Sequence, residues 1–490
     1  MRAAVVGQGY VGVTGAVALA QQGHRVVGVE QDWEKLASLR AGEPSVFEPG
    51  LAEQMTAVLR TGRLDFVEEL PDAVVSDPLD AVLICVGTPP AADGSANLSQ
   101  VLAAIDEAAE LAGDPLVVLK SSVPPGTSDM LLAEYPELRP RFVCNPEFLN
   151  QGSALDDWHA PARIVAGALH PEAVDRLRDL YRSVSCPWVT STPAGAEMIK
   201  YASNAFLATK ISFANELARL CTGPDLNIDH VIQGVGLDPR IGHALLQPGT
   251  GYGDSCLPTD TTALARWAAD RGIATPILDA TVRTNEQQPG AILRLLKESV
   301  GTDLCGREVA VLGVRYEPWN DDLRAAPSRT LLPLLQGLGA GVRVWDPGLT
   351  PEELLHLSPR AVPHTTLAAA LSGADAVLVL TEWPQVVEAD WADLATRMRG
   401  PRVVIDAKNC LPPAALHRAP VVYRGIGNRR PVSLPVSSPA AEPTLTEPAP
   451  TQPIARDTAC PDSAARGSAP SEPAAMDAPP TAPGPSEQVR

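Results

Sequence analysis

Short β-branched runs alternate with helix-length amphipathic stretches over the first 120 residues. Residues 2–6, 25–29, 81–85 and 116–120 are brief and apolar and read as buried strands. This strand–helix–strand rhythm predicts a parallel, doubly wound sheet. From residue 194 to 220 the pattern changes to one long helix, AGAEMIKYASNAFLATKISFANELARL, with no Pro and no Gly after Gly195. A second helical block spans about residues 260–300 and is broken by Gly272, Pro276 and Pro289. Strand–helix alternation then returns, with strands at 308–312, 342–345, 376–380 and 403–406. The pattern predicts two α/β domains joined by a helical middle.

Composition adds a fourth segment. Of the 48 prolines in 490 residues, 14 fall in residues 431–490, which contain no Phe, Tyr or Trp. Too little apolar surface is present there to offset ordering entropy, so this tail is expected to be disordered. The chain carries 39 basic and 58 acidic residues, a net −19, of which the last 60 residues contribute −4. That balance argues against general binding to nucleic acid or anionic membranes, while leaving room for one local pocket that takes an anion. The eight cysteines form no C-x-x-C pair and no His-rich cluster, which argues against a metal site or a disulfide framework. No stretch approaches ~18 uninterrupted apolar residues. The chain enters its first strand at once, in MRAAVVGQGYVG, with no room for a signal peptide. A reducing cytoplasm is the expected location.

The first strand runs into Gly7-Gln8-Gly9-Tyr10-Val11-Gly12. In such a loop the first Gly permits a tight turn, the second lets the backbone approach a pyrophosphate, and the third allows close helix–strand packing. The helix that follows offers free N–H groups to phosphate. Glu30, at the end of the second strand, is placed to accept from a ribose 2′-OH and to repel a 2′-phosphate, favouring NAD over NADP.

Further motifs follow in order: FEPGL (47–51), CVGTP (85–89), KSSVPPGT (120–127), NPEFL (145–149), KYASNAF (200–206), RIGHALLQPGTGYGDSCLPTD (240–260), NDDLR (320–324), WDP (345–347) and TEW (381–383). In these the chain resembles the UDP-glucose/GDP-mannose dehydrogenase family, the nucleotide-sugar 6-dehydrogenases, over about residues 1–425. The resemblance implies an NAD-binding Rossmann-like domain (1–192), a central helical dimerisation region bearing the nucleophile (193–294), a second Rossmann-like domain for the UDP-sugar (295–428) and the appended tail (429–490). It also implies a homodimer that oxidises a sugar C6 alcohol to the carboxylate with two NAD per substrate. UDP-glucose is the implied substrate, with UDP-N-acetylmannosamine and GDP-mannose as alternatives within the family.

The chemistry explains the residue types. Loss of one hydride makes an aldehyde, which has no second hydride to lose until a nucleophile adds; thiolate addition, a second hydride loss and hydrolysis complete the oxidation. By the resemblance Cys256 is the nucleophile. Lys200 and Asn204, four apart on one helix face, would stabilise the C6 oxyanion. Asp260 would orient water or hold Lys200 charged, its other reading being a helix N-cap before TTALARW. Glu147, its pKa expected to be raised in a closed pocket, would serve proton transfer and thioester hydrolysis. Ser122 would contribute a hydroxyl. The implied cofactor contacts are Gly7, Gly9, Tyr10, Val11, Gly12, Glu30, Lys35, Thr88, Ser122, Gln151 and Arg324. The implied substrate contacts are Glu147, Phe148, Leu149, Asn150, Lys200, Asn204, Arg240, Leu245, Gly249 and Gly253, with Arg240 reaching the neighbouring subunit's substrate.

Four positions depart from the family pattern. Asp254 replaces a Gly beside the nucleophile, Thr259 a Lys, Glu317 a Lys that contacts the substrate phosphates, and Gln151 a Glu. The first three make the neighbourhood more negative, and Arg240, Arg315 and Arg324 are the cations that could compensate. The retained Cys256, Lys200, Asn204, Asp260 and Glu147 favour an active enzyme of shifted specificity; a nucleotide-sugar-binding protein without turnover is the alternative.

Overall fold

A computed structural model describes residues 1–428 other than 75–76, 222–225, 254–255, 320–322 and 417. The expected disordered tail and the Asp254 substitution lie outside the described residues. Two sheets carry the fold. The first contains β1 (Arg2–Val6), β2 (Arg25–Val29), β3 (Leu64–Val67), β4 (Ala81–Ile84), β5 (Leu116–Leu119), β6 (Phe142–Cys144), β7 (Ile164–Gly167) and β8 (Trp188–Ser191). The second contains β9 (Glu308–Leu312), β10 (Gly341–Trp345), β11 (Val362–Pro363), β12 (Ala376–Val379), β13 (Val403–Asp406) and β14 (Val422–Gly425).

Strand orders are β3-β2-β1-β4-β5-β6-β7-β8 and β11-β10-β9-β12-β13-β14. Every pair is parallel except β6 with β7. Both sheets reverse direction of winding beside their first strand, between β1 and β4 and between β9 and β12. A crevice opens outside the carboxyl ends of the strands at such a point. Burial follows from the two-residue period of a strand. Ala3 and Val5 of β1 pack into one apolar layer and Ala4 and Val6 into another, so each face of the sheet is covered.

Six helices position the site: α1 (Tyr10–Gln21), α2 (Thr127–Glu134), α3 (Pro193–Leu220), α4 (Cys256–Ala269), α5 (Pro276–Glu286) and α6 (Gln288–Val300). The long α3 starts where Thr192 accepts from Gly195 N–H at 3.1 Å and Pro193 opens the first turn. It packs against α4 and α5. Pro276 and Pro289 each sit in the opening turn of a helix, so these prolines start α5 and α6 rather than kink one continuous rod. Helix α4 begins at Cys256, not at 260. Asp260 is therefore a buried residue inside the helix, and the N-cap reading of it is corrected.

Candidate active site

The glycine loop is built for close backbone approach. Gly7 has φ +86° and donates its N–H to Val29 O at 2.9 Å. A Cβ on Gly12 would lie 1.8 Å from Gly7 O, whereas one on Gly9 would meet nothing within 4 Å, so the loop is tight at its base and open on its outer side. Gly9 caps α1 without a side chain, leaving the helix's first N–H groups for an anion. Glu30 accepts from Gln8 N–H and Asp32 N–H, both at 3.2 Å, and pairs with Lys35 at 2.5 Å. An open Gly9 cradle beside a carboxylate at the end of β2 fits the pyrophosphate and ribose of NAD. Gly7, Gly9, Tyr10, Val11, Glu30, Lys35, Thr88, Ser122, Gln151 and Arg324 all line one cleft of about 1000 Å³, and Gly12 lies beneath it.

The second sheet repeats this frame. Gly313, at φ +80°, donates to Trp345 O at 2.8 Å, as Gly7 does to Val29 O. Val314 N–H donates to Asp346 at 2.8 Å, as Gln8 does to Glu30. Here, however, the acid is closed off: Asp346 is buried and also accepts from Gly348 N–H and the Trp383 indole. A ribose cannot use it as it can use Glu30.

The candidate reacting groups meet where the large cleft joins a smaller pocket of about 240 Å³; Lys120, Glu147 and Leu149 line both. Cys256, Thr259 and Asp260 face the cleft from α4, and Lys200 and Asn204 face the pocket from α3, with Phe148 and Asn150 beside them. Lys200 Nζ donates to Glu147 Oε1 at 2.8 Å and Asn204 Nδ2 to Asp260 Oδ2 at 2.6 Å. The four carboxylate, ammonium and amide groups thus form two buried pairs linking the loop after β6, α3 and α4.

The electrostatics correct one expectation. Burial by itself would push Glu147 up. The charge and hydrogen bond of Lys200, the Leu149 N–H and the Lys120 charge outweigh it and hold the carboxyl below its usual range. Burial likewise pulls Lys200 down, but Glu147, Asp260 and Cys256 together raise it. Both partners are therefore ionised at neutral pH. Isolation from solvent does not raise an acid's pKa when a cation is sealed in with it.

Other expected residues are not brought to the cleft or the pocket. Arg240 is exposed and pairs with Asp238 at 2.7 Å. Leu245 is 41% exposed, and Gly249 and Gly253 back onto Ala407 and Lys408 and onto Tyr316 and Ala325 of the second domain. Of the compensating cations, Arg315 is buried against Asp346 and Gly348, while Arg324 lines the cofactor cleft. Lys408 is a cation that sequence reasoning missed: its Nζ lies 4.6 Å from the Tyr316 ring centroid, one residue from Glu317, and 3.0 Å from Glu382.

Two more contributors were missed. Glu48, within FEPGL, accepts from the Tyr10 hydroxyl at 2.5 Å and from Gly152 and Ala154 N–H at 2.8 Å each, joining the glycine loop to the loop after NPEFL. The buried Lys120 donates to Asn145 O, Asn145 Oδ1 and Tyr181 OH at 3.2–3.3 Å and lies over the Trp158 ring. Both stand inside quoted motifs, but only the fold shows what they touch.

Known proteins share this architecture. Residues 1–185 match the NAD binding domain of the UDP-glucose/GDP-mannose dehydrogenase family, residues 194–287 its central domain and residues 310–413 its UDP binding domain. The chain is 37% identical to the UDP-glucose 6-dehydrogenase TuaD of Bacillus subtilis, over 86% of this chain and 92% of the relative. It is 38% identical to a UDP-glucose 6-dehydrogenase of Pseudomonas aeruginosa, over 88% and 98%. Among solved structures it is similar to a UDP-glucose dehydrogenase of Pyrobaculum islandicum, with TM-score 0.78, 39% identity and coverage of 87% of this chain and 97% of that one. A glycine-loop cleft, a cysteine on a central helix and a second nucleotide-type sheet, matched along the chain by all three domains, place this protein in the UDP-glucose/GDP-mannose dehydrogenase family.

Proposed function

We propose that the protein oxidises the C6 alcohol of UDP-glucose to the carboxylate with NAD, giving UDP-glucuronate. The observation that carries this reading is the junction of cofactor cleft and pocket at Glu147, with Lys200, Asn204, Cys256 and Asp260 around it. The named relatives and the solved structure at 37–39% identity are UDP-glucose dehydrogenases, whereas a UDP-D-ManNAc dehydrogenase of Pyrococcus horikoshii is 27% identical.

When bound, NAD accepts the hydride that leaves C6 in each of two oxidations. The chain does the rest. The ionised Lys200, together with the Asn204 N–H not given to Asp260, donates to the C6 oxygen as negative charge develops on it. The Cys256 sulfur adds to the aldehyde carbon, making a thiohemiacetal that has a hydride to lose. Glu147, held as a carboxylate, accepts the proton that the C6 hydroxyl gives up in each oxidation and passes it to solvent. It also takes a proton from the water that cleaves the resulting thioester and frees the thiol. Ser122 presents a hydroxyl from the cleft wall, and Asp260 holds the Asn204 amide in place.

A homodimer completes this reading. Phe206, Phe213 and Leu220 on α3 and Ile277 on α5 are exposed, which supports a covered helical face, and Arg240 would extend to the neighbouring subunit. The seven described cysteines form no disulfide with one another. No helix of the described residues is long and apolar enough to cross a membrane.

The test incubates purified protein with NAD and a panel of UDP- and GDP-sugars. UDP-glucose should turn over fastest, with two NADH per uronate by absorbance and product mass, and Cys256→Ala should abolish uronate formation. Binding without NADH, unchanged by Cys256→Ala, would establish the binding-protein reading instead.

A further inference from the structure

Glu197 touches none of the reacting groups, yet its side chain is sealed in the interior at 2% exposure. It stands on α3 three residues before Lys200 and seven before Asn204, so all three share one helix face. Its oxygens accept two separate backbone donors: Oε2 takes Gly126 N–H at 2.6 Å and Oε1 takes Ser128 N–H at 2.7 Å. These are among the unpaired donors that open α2, and the residue before that helix, Gly126 at φ +94°, has no side chain with which to cap it.

The segment entering α2 carries Ser122. Thr88 Oγ1 donates to Ser122 O at 2.9 Å from the β4 side. The Trp267 indole of α4 donates to Pro125 O at 2.6 Å from the opposite flank. Residues 121–126 are thus gripped by α3, which bears Lys200 and Asn204, and by α4, which bears Cys256 and Asp260.

A local Ser or Asp would cap α2 with far less desolvation. Burial, the largest influence on Glu197, pushes its carboxyl up to about 7 against the opposing pull of Ser128 and the Gly126 N–H. What the distant carboxylate adds is a tie across about 70 residues of chain, from the helix of Lys200 to the turn of Ser122. We infer that Glu197 is a positioning residue, holding the Ser122 turn in register with Lys200 and Asn204 through its grip on the start of α2. The inference rests on the role given to Ser122 above.

The test compares Glu197→Gln with Glu197→Asp and Ser122→Ala, each in the full chain. Gln places an NH₂ group against a backbone N–H, so one of the two bonds is lost. Glu197→Gln should lower kcat by about 10- to 100-fold with both KM values little changed, the size of effect a small misplacement produces. Glu197→Asp, which keeps the charge, should recover part of that loss. In a Ser122→Ala background the same Gln substitution should add almost nothing, because the group it positions is gone. Amide hydrogen exchange over residues 121–130 should quicken in Glu197→Gln while the β1 and β5 strands stay protected. Wild-type kcat, losses that multiply fully with Ser122→Ala, or unchanged exchange over 121–130 would each overturn the inference. Should Ser122→Ala alone retain wild-type kcat, the Ser122 assignment fails, whereas the exchange result still reports on the grip of Glu197.

Discussion

Lys200 Nζ lies 2.8 Å from Glu147 Oε1, with the two side chains only 4% and 9% exposed. A pair buried this deeply holds each partner charged, and removing one strands the other without solvent. Lys200→Met should therefore destabilise the protein by roughly 3–5 kcal/mol in urea melts at neutral pH. The sign with pH follows from Glu147. Its folded pKa is depressed, so the stability it contributes is present above the ordinary carboxylate pKa and is lost as pH falls through the folded value. In Lys200→Met that contribution disappears and burial drives the carboxyl upward. The acid limb of residual kcat/KM should then shift to higher pH, and an unmoved limb would remove Glu147 from the proton-transfer role.

Glu30 and Lys35, paired at 2.5 Å, line the cofactor cleft and are expected to choose between NAD and NADP together. Glu30→Ala should raise KM for NAD by about 10- to 100-fold, as expected for loss of a charged hydrogen-bond acceptor, with KM for the nucleotide sugar unchanged. The freed Lys35 ammonium should at the same time improve turnover with NADP, which Glu30→Ala,Lys35→Ala should not show. Steady-state kinetics with both cofactors decides it.

Phe47 stacks on Trp319 at 5.2 Å, and Trp319 meets the buried Trp383 edge-on at 5.0 Å, so three rings bridge the two α/β domains. Trp319 sits at φ +68°, a conformation costly for a bulky residue and kept only where its surroundings demand it. A double-mutant cycle of Phe47→Ala and Trp319→Ala should give a coupling of about 0.5–1.5 kcal/mol. Trp319→Gly should be at least as stable as Trp319→Ala, because Gly adopts that φ without strain. A less stable Gly variant would show that the backbone there is relaxed.

The carboxyl of Glu197, pushed up to about 7 by burial, binds its proton more tightly in the folded protein than in the unfolded chain. Stability should accordingly fall as pH rises from about 4.3 towards 7, by an amount of order 3 kcal/mol. Asp129 on α2, Cys144 on β6 and Tyr201 on α3 face the same carboxylate and are coupled to it. Glu197→Gln should flatten this slope in urea melts across that window, and an undiminished slope would place its origin elsewhere.

Much of this could be read along the chain. The short apolar runs, the Gly7–Gly12 loop with Glu30 after it, and the uninterrupted stretch that became α3 are local signals, because strand period, turn chemistry and helix propensity act over a few residues. The start of α4 was misplaced by four residues, since Pro258 in its opening turn hid a helix that begins at Cys256. Lys408 and Glu48 went unnoticed for a different cause: their partners, Tyr316 and Glu382 for one, Tyr10 and Gly152 for the other, are remote in sequence.

By itself, then, the sequence determined two doubly wound α/β halves, a helical middle and a preference for NAD, and it named the candidate reacting groups. Tertiary structure decided their state. It set Glu147 as a carboxylate rather than a raised acid, turned Arg315 inward to Asp346, left Arg240 exposed and paired with Asp238, and sent Glu197 across to cap α2. Ionisation and hydrogen-bond partners depend on which charges are sealed together away from water, and that is a property of the folded interior, not of neighbours in the chain.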